Sequence, residues 1–198
     1  MKYFQKYLFT SCIFLCSVSV FANSTDWFFT QTSIGTSAVV YGDESVEEQN
    51  DLIKAEGDTF RFVLSSDAAV GVILSPQVRI LTGALISTDF CTHGDYYANR
   101  IDYGGFTGVR IYTGLAGLVS GVDYVCGRRA DYLNLPNGSG STVSRTSWGN
   151  GFRFTAEYDF NNGQKAQGWA PVISMSYRRM PRGGSYDHNF TICFKAGF

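Results

Sequence analysis

The sequence predicts an all-β chain: an eight-stranded antiparallel up-and-down β-barrel built to cross a membrane. Three observations predict it. First, residues 190–198 alternate strictly. Phe190, Ile192, Phe194, Ala196 and Phe198 share one face, and Thr191, Cys193, Lys195 and Gly197 share the other. A stave between lipid and a polar lumen needs that pattern, with its last ring at the membrane–water boundary. Second, residues 1–22 read as a cleaved secretory signal peptide. Lys2 and Lys6 precede an uncharged apolar stretch from Tyr7 to Phe21, and Val20-Phe21-Ala22 offers a cleavage point. Third, no later apolar run reaches the roughly 20 residues of a membrane helix. Crossing then falls to strands, because only helices and closed barrels satisfy the backbone in lipid.

Leu15 before Cys16 argues against a lipoprotein signal, which wants a small residue there. Removing residues 1–22 leaves 176 residues and takes Lys2 and Lys6 away, so a net charge of −1 becomes −3. One domain over residues 23–198 is the natural count, and no nucleic-acid partner is expected without a basic excess. Aromatics at 16% and 22 glycines suit an aromatic-girdled barrel with many tight turns.

The strands follow with a period of two. Residues 27–41 form a Thr/Ser-rich strand that starts at Trp27. Phe60, Phe62 and Leu64 alternate with Arg61 and Val63. Residues 70–86 carry one long strand, with Val70, Val72, Leu74, Val78, Ile80, Ala84 and Ile86 outward, Gln77 and Arg79 inward, and a bend at Pro76. Ile101, Tyr103, Val109 and Ile111 oppose Asp102 and Arg110. Leu118, Val122 and Tyr124 oppose Asp123. In residues 152–160, Phe152, Phe154, Ala156, Tyr158 and Phe160 oppose Arg153, Thr155, Glu157 and Asp159. Trp169, Pro171, Ile173, Met175 and Tyr177 oppose Val172, Ser174, Ser176 and Arg178. Pro171, lacking a donor, belongs at a strand end or a bulge. With residues 190–198 this makes eight strands of spanning length. The connections fall into long outer loops at 42–57, 88–99, 127–149 and 179–187, and short turns at 65–69, 114–117 and 161–166. That alternation is the one expected of outer-membrane barrels.

On the signal peptide, this strand and loop rhythm and the Phe190–Phe198 strand, the chain resembles the small eight-stranded outer-membrane barrels of the OmpA, OmpX and opacity-protein type. The resemblance is one of architecture and covers residues 23–198, with no room after Phe198 for a periplasmic domain. It implies surface exposure in a Gram-negative outer membrane, contact with lipid and lipopolysaccharide, and insertion by the barrel assembly machinery, with Phe190, Ile192, Phe194 and Phe198 as the signal. It also implies a role in adhesion, host interaction or envelope integrity, the profile of a surface antigen.

Strand parity directs Arg61, Arg79, Arg110, Arg153, Glu157, Asp159, Arg178 and Lys195 into a lumen that side chains fill. A structural polar plug is the expectation; the sharper alternative is a narrow, porin-like path, for which the excess of cations would favour anions. Arg128, Arg129, Tyr132 and Trp148 in the 127–149 loop are candidate contacts for a host ligand, being residue types favoured as binding anchors. Asp43, Glu44, Glu47, Glu48 and Asp51 make the first loop acidic, which suits a solvated face or divalent cations. Cys91 and Cys126 are either bridged or free; Cys193 points into the lumen and stays free. No catalytic residue, cofactor or metal is assigned. His188 with Asp187 and a serine would be the material of a lipid A-modifying enzyme, but no tight constellation is visible, and Cys91, His93 and Asp95 lack a strong zinc spacing. The reading is a non-enzymatic outer-membrane barrel. A lipid A-modifying barrel and a secreted, soluble, pilin-like all-β subunit are the alternatives.

Overall fold

The computed structural model describes residues 27–138, 140–161 and 170–197. The elements are β1 (Phe28–Val40), α1 (Glu44–Ala55), β2 (Phe60–Ile73), β3 (Val78–His93), β4 (Tyr96–Tyr112), β5 (Leu118–Asn134), β6 (Thr142–Arg145), β7 (Gly149–Asp159), β8 (Ala170–Pro181) and β9 (Tyr186–Gly197). Each strand pairs antiparallel with its neighbours in the order β4-β3-β2-β1-β9-β8-β7-β5, and β4 with β5 closes the ring. Eight strands thus form a closed barrel. The short β6 extends the sheet from the upper end of β5, beyond the part that pairs with β7.

The registers fix the barrel's geometry. From Phe28 the paired positions run through Val72, Ile80, Val109, Val122, Phe154, Tyr177 and Phe190 and return to β1 at Ala38. That is ten residues further along, a shear of ten. Eight strands with that stagger tilt by about 40°, given strand and residue spacings of about 4.8 and 3.3 Å. The outward face is apolar: Ile34, Val70, Ile80, Val122, Phe154, Ile173, Met175, Ile192 and Phe194 are all exposed. Aromatic pairs mark its edges. Trp27–Phe28 and Tyr158–Phe160 stand at the lower end, and Tyr103–Trp148 at the upper. Ten residues from Trp148 to Tyr158, tilted by about 40°, climb about 25 Å. That equals the apolar band of an outer-membrane barrel.

The predicted parity of residues 101–111, 118–124, 152–160 and 171–178 is the observed one, and so is that of 190–196. The predicted connections need correction. No turn lies at 65–69: β2 runs unbroken to Ile73, and Pro76 sits in the β2–β3 turn, so what looked like one bent strand over 70–86 is the end of one and the start of another. The loops set at 88–99 and 179–187 shrink to Gly94-Asp95 and residues 182–185, and β5 takes up 127–134. Polar residues near the outer ends were mistaken for loop because they continue the pleat inward, as Asp89, Arg100, Arg129 and Asp187 do. Gly94, at φ 57°, allows the two-residue turn. The acidic segment 42–57 is largely helix. Residues 1–26, Trp169 and Phe198 lie outside the described residues.

Candidate functional site: a charged lumen under a helical cap

Inward-facing charges assemble into two chains of alternating sign. The lower chain runs Lys195–Glu157–Arg110–Asp123–Arg153–Asp67. Lys195 Nζ and Arg110 Nε both donate to Glu157 Oε1 at 2.8 Å. Arg110 also donates to both Asp123 oxygens, at 2.6 and 3.1 Å. Arg153 donates to Asp123 Oδ2 at 2.7 Å and to Asp67 Oδ2 at 2.8 Å, with its guanidinium 4.2 Å from the Phe106 ring centre. All six residues are buried. Of the predicted lumen charges, Arg110, Arg153, Glu157 and Lys195 lie in this chain, Arg178 belongs to a second one above it, and Arg61 stands higher up, partly exposed. Arg79 sits below it, its guanidinium 4.5 Å from the ring centre of Tyr112, whose hydroxyl donates to Asp159 at 2.9 Å.

The upper chain runs Arg178–Asp102–Arg182–Asp187–Arg129–Asp131. Arg178 and Arg182 donate to the two oxygens of Asp102, each at 2.8 Å. Arg129 donates to Asp187 Oδ2 at 2.6 Å and to both oxygens of Asp131 at 2.8 and 3.2 Å. Arg182 closes on Asp187 Oδ2 at 3.3 Å. Arg129, expected on a loop as a ligand contact, is instead 3% exposed and locked in this chain. Each chain holds three cations and three carboxylates, so within the chains the cation excess read from the sequence is cancelled. Breaking such a buried pair is costly because the remaining charge cannot be hydrated. Between the chains lies a small polar cavity lined by Ser33, Ser65, Ser87, Ser174 and Asn189. Its roughly 30 Å³ for water centres suits about two molecules.

Helix α1 closes the mouth above the upper chain. Asp43 caps it, accepting from Ser45 N at 3.1 Å and Ser45 Oγ at 2.7 Å, while Glu44 and Glu47 in the first turn and Lys54 in the last complement the helix dipole. Val46, Asn50 and Ile53, at i, i+4 and i+7, face the barrel. Ile53 packs with Cys91, Ala98 and Leu133. Arg100, 1% exposed, reaches up to bind Asn50 Oδ1 at 2.7 Å, Gln49 Oε1 at 2.9 Å and the Val46 carbonyl at 3.2 Å. Tyr41, just before the helix, lies beneath the guanidiniums of Arg100 and Arg129 and donates to Asp89 Oδ2 at 2.9 Å. Burial first, and the Asp89 carboxylate second, push its phenol well above the usual tyrosine value. Arg61 binds both oxygens of the same Asp89.

The remaining candidates do not converge. Cys91, Cys126 and Cys193 are all free. By register Cys91 faces inward on β3 and Cys126 outward on β5, so the wall separates the two thiols and excludes the bridge. Asp187 faces the lumen, but His188 faces outward, sharing a 2.7 Å hydrogen bond between Nδ1 and the Tyr177 hydroxyl, so the two are not partners. His93 Nδ1 contacts the Asp58 carbonyl at 2.8 Å. Arg128 faces outward over Trp148, with 6.0 Å from guanidinium carbon to ring centre, and Tyr132 is half-buried. Sequence reasoning missed Asp67, Asp89, Arg100, Asp131 and Arg182 because their strand ends were read as turn or loop. It missed the cap although the Val46–Asn50–Ile53 spacing behind an Asp43 cap was there to read.

The closed eight-stranded ring, the shear of ten and the apolar belt define the small outer-membrane type of β-barrel. Solved structures agree in fold. Neisserial surface protein A is similar at a TM-score of 0.54 and 6% identity, over 86% of this chain and 95% of that one. Ail, the attachment invasion locus protein of Yersinia pestis, is similar at 0.54 and 10% identity, over 86% and 98%. Ail in complex with the heparin analogue sucrose octasulfate is similar at 0.54 and 11%, over 86% and 99%. No protein-family model and no curated protein matches the sequence.

Proposed function

We propose that this chain is a surface protein of a Gram-negative outer membrane. It is exported by a signal peptide over residues 1–22 and inserted by the barrel assembly machinery through a terminal strand carrying Phe190, Ile192, Phe194 and Phe198. Its role is structural or adhesive and non-enzymatic, exercised through the outer rim. One observation carries the reading: the lumen is filled by two balanced ion-pair chains and covered by α1, which leaves the outside of the rim as the surface available for work. An ordered, exposed set of side chains there, with Val143, Arg145, Trp148 and Tyr186 among them, supports contact with an external ligand. Tyr132 and Trp148 remain its proposed contacts. The neighbouring Ail, whose name marks it as an attachment protein, makes host-surface binding the role to test first.

The test has two parts. Membrane-extracted protein is run on SDS gels unheated and boiled, with Phe198→Ser alongside. A fast unheated band that slows on boiling, and is depleted in the variant, is the expected result; a soluble protein with no heat shift would overturn the barrel. Cells expressing the protein are then compared with cells expressing Trp148→Ala/Tyr132→Ala for binding to cultured host cells. Equal binding by both, at equal surface levels, would refute the rim as the contact.

A further inference from the structure

We propose that Arg128 and Arg179 form a docking site for the phosphate groups of an outer-leaflet lipid headgroup. The site rests on the outer-membrane reading given above. Among the described residues, the outward faces of the eight barrel strands carry no Asp or Glu, and Arg128 and Arg179 are their only Arg or Lys side chains. Both stand in the upper part of the apolar band, Arg128 at its edge and Arg179 about 7 Å below the Trp148 level by register and tilt. Arg128 is paired in register with Tyr103 and lies over Trp148, whose ring meets that of Tyr103 edge-on at 6.2 Å. Arg179 is paired in register with Phe152 and His188 and lies 3.9 Å from the centre of the Tyr186 ring.

The contrast with the interior carries the argument. Each arginine of the two lumenal chains binds a carboxylate, whereas neither outward arginine has an ion pair among the described residues. A lipid-facing arginine costs about 2–4 kcal/mol at mid-membrane but only about 0–1 near the interface. Two such residues in the upper part of the band, whose long side chains reach the headgroup level, and none lower, match a site for headgroup charge. Stacking on an aromatic face holds a guanidinium in place and leaves its fork of donors for the bidentate pairing that phosphate accepts. The site is also one-sided. At the same height the large outward side chains of the β1–β3 wall are apolar: Val40, Phe60, Phe62, Leu64 and Phe90. Arg128 and Arg179 lie two strands apart, with Cα atoms about 15 Å from each other by strand spacing. Each guanidinium, held on its own ring, would take a separate phosphate of one doubly phosphorylated headgroup.

The test uses the full folded chain in phosphate-free maltoside micelles. It is titrated, with tryptophan emission as the readout, with bisphosphorylated lipid A, with the same glycolipid after removal of its phosphates, and with inorganic phosphate. Arg128→Gln/Arg179→Gln should bind the phosphorylated lipid about thirtyfold more weakly than the wild type, from about 1 kcal/mol per cation, and the dephosphorylated lipid equally well. Lys54→Gln, on the exposed last turn of α1, should bind as the wild type does. If the double variant does not fold, each single variant should lose about fivefold. Equal affinity of wild type and variant for lipid A would overturn the site. Inorganic phosphate saturating the wild type at the same phosphate concentration would also overturn it, as a free-anion site. A retained heat-shifted band in the variant separates failure of this site from failure of the barrel reading, which a missing shift in the wild type would signal.

Discussion

Arg153 offers the sharpest test of how the lumen is held. It stands on β7, and its partner Asp67 stands on β2, four strands away in either direction around the ring. The pair therefore spans the full width of the barrel. Both side chains are 8% exposed. Removing one partner of a buried pair typically costs about 3–5 kcal/mol. Here Asp123 keeps its two bonds to Arg110, and the neighbouring cavity can admit water to Asp67. Arg153→Met should therefore cost about 2–3 kcal/mol, below the full figure. Removing the stranded carboxylate as well, in Arg153→Met/Asp67→Leu, should recover most of that loss, because two apolar groups leave no charge to hydrate. The assay is urea unfolding of the barrel in vesicles, followed by tryptophan emission and by the fraction running as the fast gel band, with Asp67→Leu completing the cycle. A single variant losing less than about 0.5 kcal/mol, or a double variant losing the sum of both singles, would show that the strut is no more than a solvated contact.

Arg100→Met should free the cap without unfolding the barrel: amide exchange over residues 44–55 should quicken at least tenfold while the fast gel band persists, since Arg100 supplies three of the cap's polar contacts. Cys91, Cys126 and Cys193 should each react with a thiol reagent after urea denaturation without reductant, and labelling of Cys193 alone among them would restore the Cys91–Cys126 bridge. Because the fold raises the Tyr41 phenol, stability should hold up to the ordinary tyrosine range near pH 10 and then fall by at most about 1.4 kcal/mol per pH unit until the raised value is passed. Tyr41→Phe should remove that component of the slope. Replacing residues 44–55 by a Gly-Ser linker should uncover the mouth yet give no steady conductance in planar bilayers, because the lower ion-pair chain still fills the lumen.

The sequence made the wall legible and the rim illegible, for one reason. Within the membrane the environment changes sharply across each strand, so Phe152 to Phe160 and Phe190 to Phe194 alternate cleanly with Arg153, Glu157 and Lys195. Above the membrane both faces meet water or polar partners, and the alternation fades. Asp89, Arg100, Arg129 and Asp187 then look like loop residues although each continues its strand's inward row. The β2–β3 boundary was lost differently: Ser65, Ser66 and Asp67 resemble a turn, but Asp67 is held inward by Arg153 from the far wall. No local pattern reports a partner 86 positions away.

The extension of the wall changes what kind of surface the outside meets. Strands β3, β4 and β5 have 16–17 residues, about 40 Å of height at this tilt, against an apolar band of about 25 Å. Some 15 Å of sheet therefore stands above the lipid. Its inward face is tied by the upper ion-pair chain and its mouth by α1. A rim built of long mobile loops would lose much conformational freedom on binding, at about 0.5–1.5 kcal/mol for each side chain ordered. Here Tyr132, Val143 and Arg145 sit on paired strands above the lipid, so less of that cost remains. The charges that look like a channel are, on this argument, what stiffens the outer surface for recognition.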